Sequence, residues 1–333
     1  MLAVVITSAS RLELKRVEAR PLKEYELRIK VAVSAVCGSD LKIINRPFRP
    51  GLQIPGHEFA GKVIESFDGK RLLGERVTAF PMFACLKCDS CKRREYRDCE
   101  NKPSLGYDLQ GTYAEEVIVD ERFTIRLHDE ISYEQGALIE HLCCGFRLAK
   151  EAEKLVREDD RILILGDGPM ALADLQFLNF LGYQDITLVG KHQERMDFAM
   201  SLGAKQVVRF DEFEKAYRQG KQLFDAFIFT VSNNATIDQL SHCFRDEVVV
   251  FPQARISDEY MARLVAEKGA TFGRAFAYHI DDFYRVMNLI VSGEIKASEL
   301  VSARIDLTEV EMMTPLIFSK NKIKTLIVNR NFS

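Results

Sequence analysis

The chain has 333 residues, a length that predicts two domains at about 150 residues each. Its 46 Lys and Arg against 49 Asp and Glu leave a net charge of −3, which excludes the basic excess of a nucleic-acid binder. Hydrophobic residues at 47% and charged residues at 29% exclude a disordered chain, and a core of this size can bury polar sites without disulfides.

The elements change character along the chain. The N-terminus, MLAVVITSASRLELKR, has no basic region before its short apolar stretch and reads as a first strand, not a secretion signal. Up to about residue 130 the β-rich stretches AVVIT, ELRIKVAVSAV, EFAGKVIES, ERVTAF and GTYAEEVIV are punctuated by Gly and Pro, among them Pro47, Pro50, Gly51, Pro55 and Gly56. That pattern predicts a partly open barrel with long functional loops. Residues 131–158 then turn helical. From 161 onward RILIL, DITLV, KQVVRF, FDAFIFTV, EVVVF and ATFGRAF are six short strands, separated by segments of helical length. Such alternation predicts a parallel, doubly wound sheet, placed at 150–273, with 1–149 and 274–333 forming the other domain. In the tail, DDFYRVMNLIVSG and LTEVEMMTPLIF read as helices and IKTLIVN as a closing strand. No run of eighteen apolar residues occurs, so no membrane helix and no membrane partner are expected.

Eight cysteines are too few for a disulfide scaffold, and four of them cluster. Cys85-x2-Cys88-x2-Cys91-x7-Cys99 puts four thiols in one short segment, the donor set of a closed, tetrahedral structural zinc. An iron–sulfur cluster is the rival, but the seven-residue last gap and the absence of Pro after Cys99 argue against it. Reduced thiols and no export signal predict a cytoplasmic protein. Cys143, Cys144 and Cys243 read as core, and His128, His242 and His279 as structural.

A second, mixed donor set is spread further along the chain. Cys37 lies in VCGSDLK, His57 and Glu58 in GHE, and Glu140 in the apolar segment ALIEHL. One thiolate, one imidazole and one or two carboxylates leave room for an exchangeable oxygen ligand, as a catalytic zinc requires. Each alone is weak; together, beside a four-cysteine lobe, they are informative.

The order AVCGSDLK, PGHEFAG, GERV, four-cysteine lobe, dinucleotide fold resembles the zinc-containing medium-chain dehydrogenase/reductase family over essentially the whole chain. Glu140 resembles the Glu of its polyol and threonine dehydrogenase branch, although His141 stands where that branch commonly has Pro. The resemblance implies a GroES-like barrel plus a Rossmann domain, with a catalytic zinc on Cys37, His57 and Glu58. Glu140 would be a fourth ligand or would exchange with water. It further implies that Asp40 orients the metal-bound His57, that Ser39 takes the substrate proton, and that Lys42 ends the relay where many relatives have His. A lysine can do so only with a lowered pKa. Two zinc ions per chain and a homodimer or homotetramer are also implied.

RILIL runs into Gly166-Asp-Gly168-Pro-Met-Ala171 and then a helical segment, the required setting for a dinucleotide fingerprint. The fingerprint expects an acidic residue about twenty positions on, to hold the adenosine ribose. Gly190 stands there, followed by Lys191, His192, Gln193, Glu194 and Arg195. This resembles the NADP-type variant of the family, with Lys191 and Arg195 receiving the 2′-phosphate, and it tips the expected cofactor slightly from NAD to NADP. Arg46 and Arg49, in the loop after the Cys37 box, are candidates for a substrate phosphate. The reading is an oxidoreductase moving hydride between a small alcohol or polyol, sugar-alcohol phosphates included, and NAD(P), in an interdomain cleft that closes against water. A threonine 3-dehydrogenase is the alternative within enzymes, and a catalytically silent dinucleotide sensor the alternative outside them.

Overall fold

The computed structural model describes residues 1–8, 11–45, 53–217, 223–231, 240–275, 278–309 and 322–332. In chain order these form β1 (Leu2–Ser8), β2 (Arg11–Arg16), β3 (Glu26–Ala35), α1 (Gly38–Ile44), β4 (Glu58–Ser66), β5 (Arg76–Ala79), α2 (Asp89–Lys92), β6 (Glu116–Asp120), β7 (Thr124–Arg126) and α3 (Tyr133–Leu155). Then come β8 (Ile162–Leu165), α4 (Pro169–Phe180), β9 (Ile186–Gly190), α5 (Gln193–Ser201), β10 (Gln206–Arg209), α6 (Phe210–Tyr217), β11 (Phe224–Phe229), β12 (Phe244–Pro252), α7 (Asp258–Lys268) and β13 (Thr271–Phe272). The chain closes with α8 (Ile280–Val291), β14 (Val301–Asp306) and β15 (Lys324–Val328). The segment LTEVEMMTPLIF, expected to be helical, lies largely outside the described residues, as do Arg46 and Arg49. No helix among the described residues is long and apolar enough to cross a membrane.

Two compact units divide the chain: Met1–His141 with His279–Ser333, and Leu142–Tyr278. In the first, β1 and β2 form a hairpin. Its main sheet runs β14-β15-β3-β4-β5-β7, with β6 also on β3. The ten residues of β3 are the spine: β6 pairs with its first half, β15 with its last three residues, and β4 along the other edge. Residues 26–35 are almost continuously buried, as a strand covered on both faces must be. β2, with its run of charged residues, and β14 are strands that the apolar pattern alone did not single out. In α8, Phe283, Val286, Met287 and Ile290 recur at helical spacing on the buried face, and Asp282 closes a capping box with His279.

The second unit is a six-stranded parallel sheet in the order β10-β9-β8-β11-β12-β13. Numbered within the unit, that is 3-2-1-4-5-6, the doubly wound order of nucleotide-binding folds. Its strands are short and apolar because helices cover both faces; every residue of β8 and β9 is buried. The core gathers Leu163, Phe227, Phe229, Phe244 and Val250. α4 starts with Pro169 in its first turn, where a missing N–H costs nothing, and is buried from Ala171 to Leu178. Asp174 within that run accepts a hydrogen bond from Gln253 at 2.9 Å, and burial holds its carboxyl well above the usual range.

Candidate metal centres and dinucleotide turn

Four cysteines converge in the lobe between β5 and β6. Cys85, Cys88, Cys91 and Cys99 offer sulfurs that all lie within 4.8 Å of one another. Cys88 Sγ is 3.4 Å from Cys91 Sγ, and Cys85 Sγ is 3.8 Å from Cys91 Sγ. Tetrahedral zinc with bonds of about 2.3 Å sets its sulfurs about 3.8 Å apart, so the donor set fits that ion and leaves no position open. One turn of helix, α2, brings Cys88 and Cys91 together, with Cys88 as its N-cap. Hydrogen bonds from the backbone of Lys87 and Cys88 pull the Cys85 thiol down to about 6, while burial pushes the Cys91 thiol up to about 12.

The second centre joins two elements. Cys37 caps the start of α1, His57 immediately precedes β4, and Glu58 is its first residue. Their ligand atoms also lie within 4.8 Å of one another. α1, a seven-residue helix missed by the sequence pattern, does the arranging. Asp40 at its third position is fully buried, and its Oδ2 accepts from the Cys37 backbone N–H at 2.9 Å and from the Tyr113 hydroxyl at 2.7 Å. Its Oδ1 lies 3.2 Å from His57 Nδ1. With Nδ1 turned to Asp40, Nε2 is left for a metal. Burial alone would depress the His57 pKa, but the Asp40 carboxylate and the Cys37 thiol outweigh it and hold His57 well above the usual value.

Glu58 has a partner that the sequence pattern did not suggest. Lys324, the first residue of β15, donates to Glu58 Oε1 at 2.7 Å and Oε2 at 2.5 Å, and to the Val36 carbonyl at 3.2 Å. Both side chains are almost completely buried. Burial would lower Lys324, but the Glu58 carboxylate keeps it protonated. Nothing in IKTLIVN marked this lysine beyond its place at the edge of an apolar strand. Glu140 is buried in α3 but is not one of the groups within 4.8 Å of each other; its charge is felt by both Glu58 and Lys324. Its neighbour His141 has Nδ1 4.0 Å from Glu58 Oε1. Ser39 donates its hydroxyl to Cys37 Sγ at 3.1 Å. Lys42, three residues further along α1, is exposed. Tyr107, also unforeseen, donates to the Ser39 carbonyl at 3.4 Å, with its ring centroid 6.3 Å from that of His57.

In the other unit, Gly166, Gly168 and Ala171 stand at the turn from β8 to α4. Gly166 has φ +121, a conformation side-chain-bearing residues avoid. Gly168 is the N-cap of α4, with open space where a Cβ would be, and Ala171 is fully buried. Open backbone before a helix N-terminus fits a pyrophosphate. At the adenosine end the structure adds a residue. The expectation of a 2′-phosphate received by Lys191 and Arg195 assumed no carboxylate nearby, but Asp167, from the glycine turn, reaches the end of β9. Its Oδ2 accepts from the backbone N–H groups of Lys191 and His192, both at 2.7 Å. Arg195 is buried beside it, with Nη1 3.6 Å from Oδ1, and Lys191 Nζ lies over the Phe210 ring at 5.5 Å.

Comparison with known proteins places this geometry. Residues 23–129 match the alcohol dehydrogenase GroES-like domain. D-arabitol-phosphate dehydrogenase of Enterococcus avium is 26% identical over 318 residues, covering 90% of this chain and 88% of the relative. A probable D-xylulose reductase A of Aspergillus fumigatus is 25% identical, over 93% of this chain and 92% of its own length. An alcohol dehydrogenase of E. coli CFT073, solved with NADH, superposes with a TM-score of 0.88 at 18% identity, covering 98% of this chain and 99% of that one. Residues 23–129 thus carry the alcohol dehydrogenase GroES-like domain, and the chain is similar over nearly its whole length to polyol and polyol-phosphate dehydrogenases. The protein is an oxidoreductase acting on CH–OH groups.

Proposed function

We propose that this protein is a zinc-dependent polyol dehydrogenase of the medium-chain dehydrogenase/reductase family, with a polyol or polyol phosphate as its alcohol. The observation that carries the reading is the Ser39 hydroxyl 3.1 Å from Cys37 Sγ, at the edge of the three-ligand cluster. A proton acceptor beside a metal position with an open ligand place is what alcohol oxidation needs. When bound, zinc supplies Lewis acidity toward the substrate oxygen, and the nicotinamide supplies a hydride acceptor.

The protein's own residues do the rest. Cys37, His57 and Glu58 hold the metal, with Glu140 close enough to act on their charge. Asp40 fixes the His57 ring, and Tyr113 and the Cys37 amide fix Asp40. Lys324 offsets the buried charge of Glu58. Ser39 accepts the hydroxyl proton and passes its own outward to solvent. The lobe cysteines hold a second, structural zinc. We also read the enzyme as a cytoplasmic homo-oligomer.

A panel of sugar alcohols, their phosphates and threonine, assayed with NAD and NADP alongside zinc analysis, tests the reading. Two zinc ions per chain and cofactor reduction by a polyol or its phosphate are expected. A fully zinc-loaded protein that reduces neither cofactor with any of these would overturn it, and threonine as sole substrate would replace polyol with amino acid.

A further inference from the structure

Asp167 lies between the two glycines of the dinucleotide turn, where a side chain of any kind is unneeded for binding a pyrophosphate. Its carboxylate crosses to the end of the neighbouring strand and fills a ready-made anion niche. Two backbone N–H groups, of Lys191 and His192, donate to Oδ2 at 2.7 Å. The His192 Nδ1 is 3.1 Å from Oδ1 and 3.0 Å from Oδ2. The Arg195 guanidinium is 3.6 Å from Oδ1. Only 8% of the Asp167 side chain is exposed. Burial opposes ionisation here, but the two N–H groups and His192 prevail and keep the carboxyl below its ordinary value, so the niche holds a full negative charge.

Gly190 is the other half of the arrangement. A Cβ built on it would stand 2.8 Å from both Cβ and Oδ2 of Asp167. The glycine at the end of β9 therefore makes room for a carboxylate arriving from the next turn. An acid is present at this end of the sheet, but a different stretch of chain provides it.

Resting on the dinucleotide reading above, we propose that Asp167 is a specificity-determining residue that selects NAD over NADP. The donors that a ribose 2′-phosphate would need, two amides and Arg195, are already taken by an internal anion. A phosphate arriving there would meet like charge instead of free cations, and repulsion of the wrong ligand is the usual basis of such discrimination. NAD, whose 2′ position carries only a hydroxyl, meets no such penalty.

The test is equilibrium binding of NADH and NADPH, followed by nicotinamide fluorescence or calorimetry, to wild type, Asp167→Ser and Arg195→Met. Wild type is expected to bind NADH at least about tenfold more tightly, and Asp167→Ser to shift that ratio toward NADPH by about tenfold or more. Arg195→Met alone should leave the ratio unchanged within about twofold, because Asp167 already occupies that guanidinium. NADH affinity in each variant reports whether the turn remains folded. If Asp167→Ser no longer binds NADH, the wild-type ratio and Arg195→Met decide. Wild type binding NADPH as tightly as NADH, or Arg195→Met losing NADPH selectively, would overturn the inference while leaving the dinucleotide site standing. If wild type binds neither cofactor, the dinucleotide reading and this inference fall together.

Discussion

The two thiol-containing centres of the first unit use similar donors to opposite ends. In the lobe, four cysteines come from a stretch of fifteen residues, and three of them are held mainly by local backbone, a single helical turn and each other's sulfurs. In the Cys37–His57–Glu58 centre, the donors come from two segments and are braced by buried groups: Asp40, itself held by Tyr113, on Cys37 and His57, and Lys324 on Glu58. A closed sulfur shell makes its metal a folding element, because little else holds the segment together. A mixed, open shell must instead be held rigid by the protein, because its metal has to exchange ligands without the site collapsing.

The largest separation between the two centres should appear on removing one ligand from each. His57→Ala is expected to lower kcat by at least about a thousandfold, the scale of losing Lewis-acid stabilisation, while one zinc per chain and the melting temperature stay near wild type. Near-normal turnover would show that the mixed centre is not the reacting one. Cys88→Ser should do the reverse: one zinc lost and a melting temperature lower by on the order of 5–10 °C, with residual activity in the folded fraction. An unchanged melting curve with one zinc missing would dissolve the contrast.

Lys324→Met probes the bracing itself. Leaving Glu58 buried without its partner should cost about 3–5 kcal/mol of stability and weaken zinc at the mixed centre alone, by about 10- to 100-fold. The double variant Lys324→Met/Glu58→Gln should recover most of the stability, and failure to do so would mean Lys324 acts through something other than charge.

The smallest effect concerns the lobe stripped of metal. Cys85, pulled down to about 6 by the amides of Lys87 and Cys88, is the thiolate there at neutral pH. Cys91, pushed up to about 12 by burial, stays protonated. Since the Cys85 pKa is depressed on folding, its contribution to the stability of the empty lobe is present above the ordinary thiol range and fades as pH falls through about 6. Alkylation followed by mass spectrometry should label Cys85 first, with half-maximal rate near the same pH, and zinc should protect it. Equal labelling of Cys85 and Cys91 at pH 7 would contradict the difference.

What was legible in the sequence follows from the same contrast. The lobe could be read because its donors are neighbours in the chain. The doubly wound sheet could be read because strands buried on both faces become uninterrupted apolar runs such as RILIL and FDAFIF. Asp40 was legible only through the family resemblance, and the bracing by Tyr113 and Lys324 was not legible at all. α1 is only seven residues and carries no amphipathic period, and Lys324 meets Glu58 across 266 residues. At the adenosine end, the fingerprint rule looks for an acid in one place along the chain, whereas Asp167 reaches that place through space from another strand's turn. LTEVEMMTPLIF and the arginines at 46 and 49 remain expectations, lying outside the residues the structure describes.

The pairing of β15 with the last residues of β3 has a consequence in time. Val36 and Glu58 emerge early in synthesis, but the cation that neutralises Glu58 is 266 residues later, on the order of 15–50 s at ordinary elongation rates. Until then Glu58 has no Lys324 to pair with and residues 33–35 have no β15 beside them. The lobe has all four of its thiols by Cys99, long before the final strand is made. Maturation should therefore be ordered, the structural metal seated on the growing polypeptide and the mixed centre assembled only as the final strand clicks into register, so that an immature chain is stapled before it is armed.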